Sequence, residues 1–93
     1  MAFHFEWDPT KAARNLALHR VSFAEASTVF KDPLEITIPD PDHSKSEDRW
    51  LSLGLSQAGR LLLVSYTERG KRLRLISARE ASAKERRHYE NGH

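Results

Sequence analysis

With 93 residues the chain has room for one small domain, 1–93, and 39% hydrophobic against 30% charged side chains suits a patterned core. It has no cysteine, which excludes disulfides and thiolate zinc sites and fits a reducing compartment. No apolar run reaches the roughly 20 residues that span a bilayer, and Met1–Asp8 lacks the basic-then-apolar order of a signal peptide, so a soluble cytoplasmic protein is expected. The net charge of +2 hides an asymmetry: residues 1–59 carry 6 Lys and Arg against 9 Asp and Glu, whereas residues 60–93 carry 9 against 4. A basic second half points to a polyanion or an acidic protein as partner, since guanidinium groups bind phosphate and carboxylate by charge and bidentate geometry.

Phe3, Phe5 and Trp7 alternate with His4 and Glu6, the period of a short strand. Asp8-Pro9 supplies an N-cap oxygen and a residue suited to the first helical position, starting a helix with Ala12, Ala13, Leu16 and Ala17 as its buried stripe. That helix should stop near His19-Arg20, because Ser22 to Glu25 form a capping box with Val21 and Ala26 as a hydrophobic staple. Phe23, Ala26, Val29 and Phe30 carry the second apolar face to Asp32-Pro33. His19 thus falls in a corner between two helices, held without deep burial. The plain alternative is an imidazolium favoured by the helix C-terminus.

Leu34 to Ile38 is a short β-prone run closed by Pro39, followed by the polar loop 40–48. Asp40, Asp42 and His43 there match no familiar metal spacing and read as a solvated loop, although a metal-dependent hydrolase would use them. Arg49 to Leu55 alternates as a half-buried strand with Leu51, Leu53 and Leu55 inward, and Gln57-Ala58-Gly59 turns the chain. Leu61 to Arg79 is then a hairpin around Glu68-Arg69-Gly70-Lys71, with Leu73 and Leu75 on one face and Arg72 and Arg74 on the other. Three strands in succession form an antiparallel meander. Residues 80–90 are strong helix formers, and both Ser77/Glu80 and Ser82/Glu85 fit a capping box, so the helix starts at either. The expected fold is α+β: a small antiparallel β-sheet, two N-terminal helices and a docked C-terminal helix.

A set of motifs in order resembles the BrnT toxin family. It comprises Phe5 to Lys11, Asn15-Leu16, His19 to Ala26, Phe30 to Pro33, Glu47 to Trp50, Gly54, Gly59 to Leu62, Tyr66 to Gly70, Ile76 to Arg79, Glu85-Arg86 and Tyr89-Glu90. The resemblance implies a RelE-like fold, metal-independent cleavage of mRNA that arrests growth, and a BrnA-like antitoxin with which the toxin represses its operon. Operator DNA would be met only through that complex. Where the family typically reads Lys-His-Gly-Val, this chain has Leu18-His19-Arg20-Val21, losing a cation beside the histidine and a glycine suited to positive φ.

Metal-free RNA cleavage by the 2′-hydroxyl needs proton transfer at two oxygens and positive charge at the phosphoryl group. Together with the resemblance, this makes His19 the expected proton-transfer group and Glu47 its base partner or orienting group. Arg49, Arg74 and Arg79 are the expected phosphate ligands, and Arg20, Arg69, Lys71 and Arg72 are expected to steer the RNA backbone. No cofactor is expected. The alternative is a non-catalytic nucleic-acid or antitoxin-binding module using the same basic hairpin. An acidic antitoxin lying over this surface would neutralise it by occlusion.

Overall fold

A computed structural model describes residues 3–45 and 47–92; Met1 of the leader reading and Ser46 of the polar loop lie outside the described residues. Five strands, β1 (His4–Glu6), β2 (Ile36–Pro39), β3 (Arg49–Leu55), β4 (Leu61–Arg69) and β5 (Arg72–Glu80), form one sheet in the order β1-β5-β4-β3-β2. The meander β3-β4-β5 is antiparallel as expected, and Gly70 takes φ 60° at the tip of the β4–β5 hairpin. The sheet as a whole is mixed, which corrects the antiparallel expectation: β1 runs parallel to β5, a pair far apart in the chain that no hairpin turn constrains to be antiparallel, while α1 (Pro9–His19) follows β1.

One face of the sheet packs on α1, on α2 (Phe23–Ser27) and on the 3₁₀ turn Thr28–Lys31 that extends α2. Val21, Phe23, Ala26 and Val29 meet Leu62, Val64, Tyr66, Leu75 and Ala78 there, all buried. Each fully buried aliphatic or aromatic side chain contributes about 1.5–3 kcal/mol, so this cluster is the main source of stability. Gly54 allows the close approach of the 3₁₀ turn, since a Cβ on it would lie 2.9 Å from Val29 Cγ1. On the other face, α3 (Ala83–Asn91) covers one end of the sheet, where Tyr89 packs with Leu53 and Leu61. Ser82, not Ser77, caps α3, in a full capping box with Glu85. Tyr89 Oη donates to Asp32 Oδ2 at 2.5 Å, and Asp32 also accepts from Leu34 N, just before β2, and Leu55 N, at the end of β3, tying α3 to both ends of the β2–β3 unit.

Two burial patterns differ from expectation. Of the stripe expected on α1 only Ala12 packs against the core, partly buried: Leu16 is 50% exposed, Ala13 and Ala17 are exposed, and the buried residue is Asn15. The helix lies at the sheet margin, over the part of β5 beyond the reach of β1, and needs only a narrow contact. On β3, the helix-facing residues are Trp50, Ser52 and Gly54. Leu53 packs under α3, Leu51 faces an open trough and Leu55 is 40% exposed, because both faces of the central sheet are partly covered.

Candidate active site

The open part of the α3-side face is a trough floored by the adjacent cross-strand rungs Leu51–Ser65–Ser77 and Leu53–Leu63–Arg79. A cavity of about 230 Å³ brings His19 and Arg79 over Leu51, Leu63 and the two serines. A second, of about 340 Å³, shares that floor and Arg79 and adds Arg49, Asp40 and His43. His19 enters from the β5 side and the other three from the β2–β3 side, so side chains distant in sequence line two cavities over a shared floor.

Asn15 places His19. Its Nδ2 donates to Val21 O at 2.9 Å and Ala78 O at 2.9 Å, and its Oδ1 accepts from Ala78 N at 3.0 Å. The side-chain amide thus substitutes for a neighbouring strand where β1 has ended, and clamps the last turn of α1 to β5. Arg20 caps that turn with φ 59°, its N–H donating to Leu16 O and its carbonyl accepting from Arg60. The residue that replaces the expected glycine does take a left-handed conformation. Arg60 also binds Glu25 through Nε at 2.9 Å, and this side-chain hydrogen bond holds the Glu25 carboxyl below its usual 4.5. Glu25 is therefore turned towards Arg60 and Ser56, while Ser22 Oγ still accepts from Glu25 N in its half of the capping box.

A bulge places Arg79. Ser65 pairs with Ser77 but Tyr66 with Leu75, so Ile76 is the extra residue. Without it, Leu75 and Arg79 would share a face; with it, Leu75 and Ala78 meet the helices while Arg79 lines the trough. Glu85 grips Arg79 with two parallel hydrogen bonds of 2.9 Å, which lower the Glu85 carboxyl and raise the guanidinium. The Arg79 side chain remains 42% exposed, so part of its donor set faces the trough. Arg49, by contrast, meets no carboxylate among the described residues, and its buried Nε has no hydrogen-bond partner. It is the trough's uncommitted cation.

The other expected site residues lie elsewhere. Arg74 donates to Glu6 Oε2 at 2.7 Å across β1, and lines neither cavity. Glu47 is 3.5 Å from Arg69 near the hairpin and is not beside His19. Lys71 and Arg72 are exposed at the hairpin tip, beyond the Arg49–Thr67 rung, and Arg20 is exposed at the α1 corner. Sequence reasoning missed Asn15, the Glu85 clamp and the approach of Asp40 and His43 to the arginines. Only the Asp-x-x-His spacing around Pro41 was available as a signal for the last. Asp42 is exposed outside both cavities, and among the described residues no three His, Asp or Glu side chains group as metal ligands. No helix among the described residues is long and apolar enough to cross a membrane.

Residues 7–85 match the model of the family described as the ribonuclease toxin, BrnT, of type II toxin-antitoxin systems. The chain belongs to this family. Its fold is similar to that of the Brucella abortus ribonuclease toxin BrnT, whose crystal structure superposes with a TM-score of 0.68 at 24% identity over 87% of this chain and 99% of that one. No curated protein matches the sequence. As a member of a type II toxin family, the BrnT-type chain has an antitoxin as its counterpart, and the trough lies within the family-matched segment.

Proposed function

We propose that this BrnT-type toxin is a metal-independent endoribonuclease that cleaves mRNA in the trough between α1 and the 40–44 loop, arresting translation and growth. The observation that carries the proposal is that His19 with Arg79, and Arg49 with Arg79, line two adjoining cavities that share one floor of the sheet. The 2′-hydroxyl of a bound nucleotide attacks the adjacent phosphorus, with His19 accepting its proton. Arg49, and the part of Arg79 that Glu85 leaves exposed, bind the phosphoryl oxygens as charge develops on them. Imidazole and guanidinium groups along the trough suit a reaction in which the protein itself moves protons and offsets charge.

Arg69, Lys71 and Arg72 on the hairpin, with Arg20 at the α1 corner, steer the RNA backbone towards the trough. Arg74 and Glu47 sit one layer out, Arg74 holding β1 and Glu47 orienting Arg69. On this view the fold is RelE-like, the partner is an acidic BrnA-like antitoxin that covers the basic face, and operator DNA is reached only through their complex in the cytoplasm. The test is RNA cleavage by the purified protein in chelator. Cleavage that His19→Ala abolishes supports the proposal, whereas RNA binding without cleavage favours a binding module, and activity lost in chelator favours a metal-dependent hydrolase.

A further inference from the structure

Cleavage by 2′-hydroxyl attack needs a second proton transfer, to the departing 5′-oxygen, and His19 leaves that role unfilled. The 40–44 loop brings a second imidazole to the trough. Asp40 Oδ2 bonds His43 Nδ1 at 2.9 Å, with the Asp40 side chain only 13% exposed and that of His43 66% exposed. The loop is fastened to the start of β3: Asp40 N donates to Arg49 O at 2.9 Å, Arg49 N to Ser44 Oγ at 2.9 Å, and Ser44 Oγ to Asp40 O at 2.7 Å. The 3₁₀ turn Pro41–His43 then sets the imidazole beside Arg49 and Arg79. This is a braced carboxylate–imidazole pair, not a loose loop histidine.

We propose that His43 is the general acid of the reaction and Asp40 its positioning residue, an inference that rests on the ribonuclease reading above. With Asp40 accepting from Nδ1–H, the other ring nitrogen, Nε2, is the one free to serve substrate. Among the described residues His19 has no such carboxylate, and Lys11, Arg14 and Arg79 line its two cavities. The bond from the 2′-oxygen to phosphorus forms as that from phosphorus to the 5′-oxygen breaks. The 2′-hydroxyl proton passes to His19 and the Nε2 proton of His43 to the 5′-oxygen, leaving a 2′,3′-cyclic phosphate and a 5′-hydroxyl. His19 and His43 line adjoining cavities over the shared floor Leu51, Leu63, Ser65 and Ser77, which lets base and acid act from two sides of one phosphorus.

The test compares an oligoribonucleotide cut by the wild type with the same oligomer carrying a bridging 5′-sulfur at the mapped scissile bond. A thiolate leaves without a proton donor. His43→Ala is expected to slow cleavage of the all-oxygen RNA by about 10²–10⁴-fold and to recover to within about tenfold of wild type on the sulfur substrate. Asp40→Asn should show a smaller loss with the same substrate-specific recovery, which a merely structural role does not produce. His19→Ala should stay impaired on both. Normal cleavage of oxygen RNA by His43→Ala, or equal impairment on both substrates in folded protein, overturns the assignment and leaves the ribonuclease reading standing. Failure of the wild type to cut either substrate overturns both.

Discussion

Replacing Asn15 removes the device that holds the histidine-bearing end of α1 against the sheet. Asn15→Leu keeps the volume but deprives Val21 O, Ala78 O and Ala78 N of their partners at a site 6% exposed. A buried group left unpaired costs about 1–3 kcal/mol, and carbonyls tolerate it better than amides, so the expected loss is about 3–5 kcal/mol. Domains of this size are stable by roughly 5–15 kcal/mol, so the variant should lose a substantial share of its stability. Asn15→Asp keeps the acceptor for Ala78 N but sets a carboxylate against two carbonyl oxygens, and should cost at least as much. Urea unfolding followed by circular dichroism measures this: with a slope of about 1.5 kcal/mol per M, the midpoint should fall by about 2–3 M. Leu16→Ala, on the half-exposed face of the same helix, is the control and should move stability by less than about 0.5 kcal/mol. An Asn15→Leu or Asn15→Asp protein within about 1 kcal/mol of wild type would refute the claim that this amide replaces a strand partner.

Arg20→Gly should raise stability by about 0.5–1 kcal/mol, since relief of a left-handed residue worth about 1–2 kcal/mol outweighs the entropy glycine adds to the unfolded chain; Arg20→Ala should not, and thermal melts of the pair decide. Gly54→Ala forces a methyl group against Val29 and should cost about 1–3 kcal/mol, read as a lower denaturant midpoint. Glu25 and Glu85 are held below their usual 4.5 in the fold, chiefly by the hydrogen bonds from Arg60 and Arg79. Their contribution is therefore full above pH 4.5 and lost as pH falls below it, so the urea midpoint should drop there, and drop less in Glu25→Gln.

Much of the architecture was legible because local signals agreed with it. Asp8-Pro9, Ser22 and Gly70 mark element ends through backbone chemistry that needs no tertiary context, and the hairpin 61–79 shows its pattern directly. The parallel β1–β5 pair was not legible, since a strand's period does not say which neighbour it joins. Nor was the bulge at Ile76, although it decides which face Arg79 occupies. The α1 stripe misled for the opposite reason: of four apolar-looking positions only Ala12 packs against the core, and the buried contact is made by Asn15. His19, Arg49 and Arg79, expected by asking which side chains RNA cleavage needs, line the two cavities. Arg74 was drawn away by Glu6, and Glu47 by Arg69, in ion pairs across strands and loops that the sequence does not register. The 40–44 loop looked solvated because its Asp–His pair has no metal spacing, yet its tie to Arg49 brings it to the trough.

The central claim is tested most directly by incubating purified wild-type protein, His19→Ala and Arg49→Ala with defined RNA in excess chelator and sequencing the ends produced. Wild type is expected to give discrete cuts ending in cyclic phosphate, with both variants folded and slower by about 10²-fold or more. Undiminished cleavage by either folded variant would place the chemistry outside this trough, and no cleavage by the wild type would contradict the ribonuclease account.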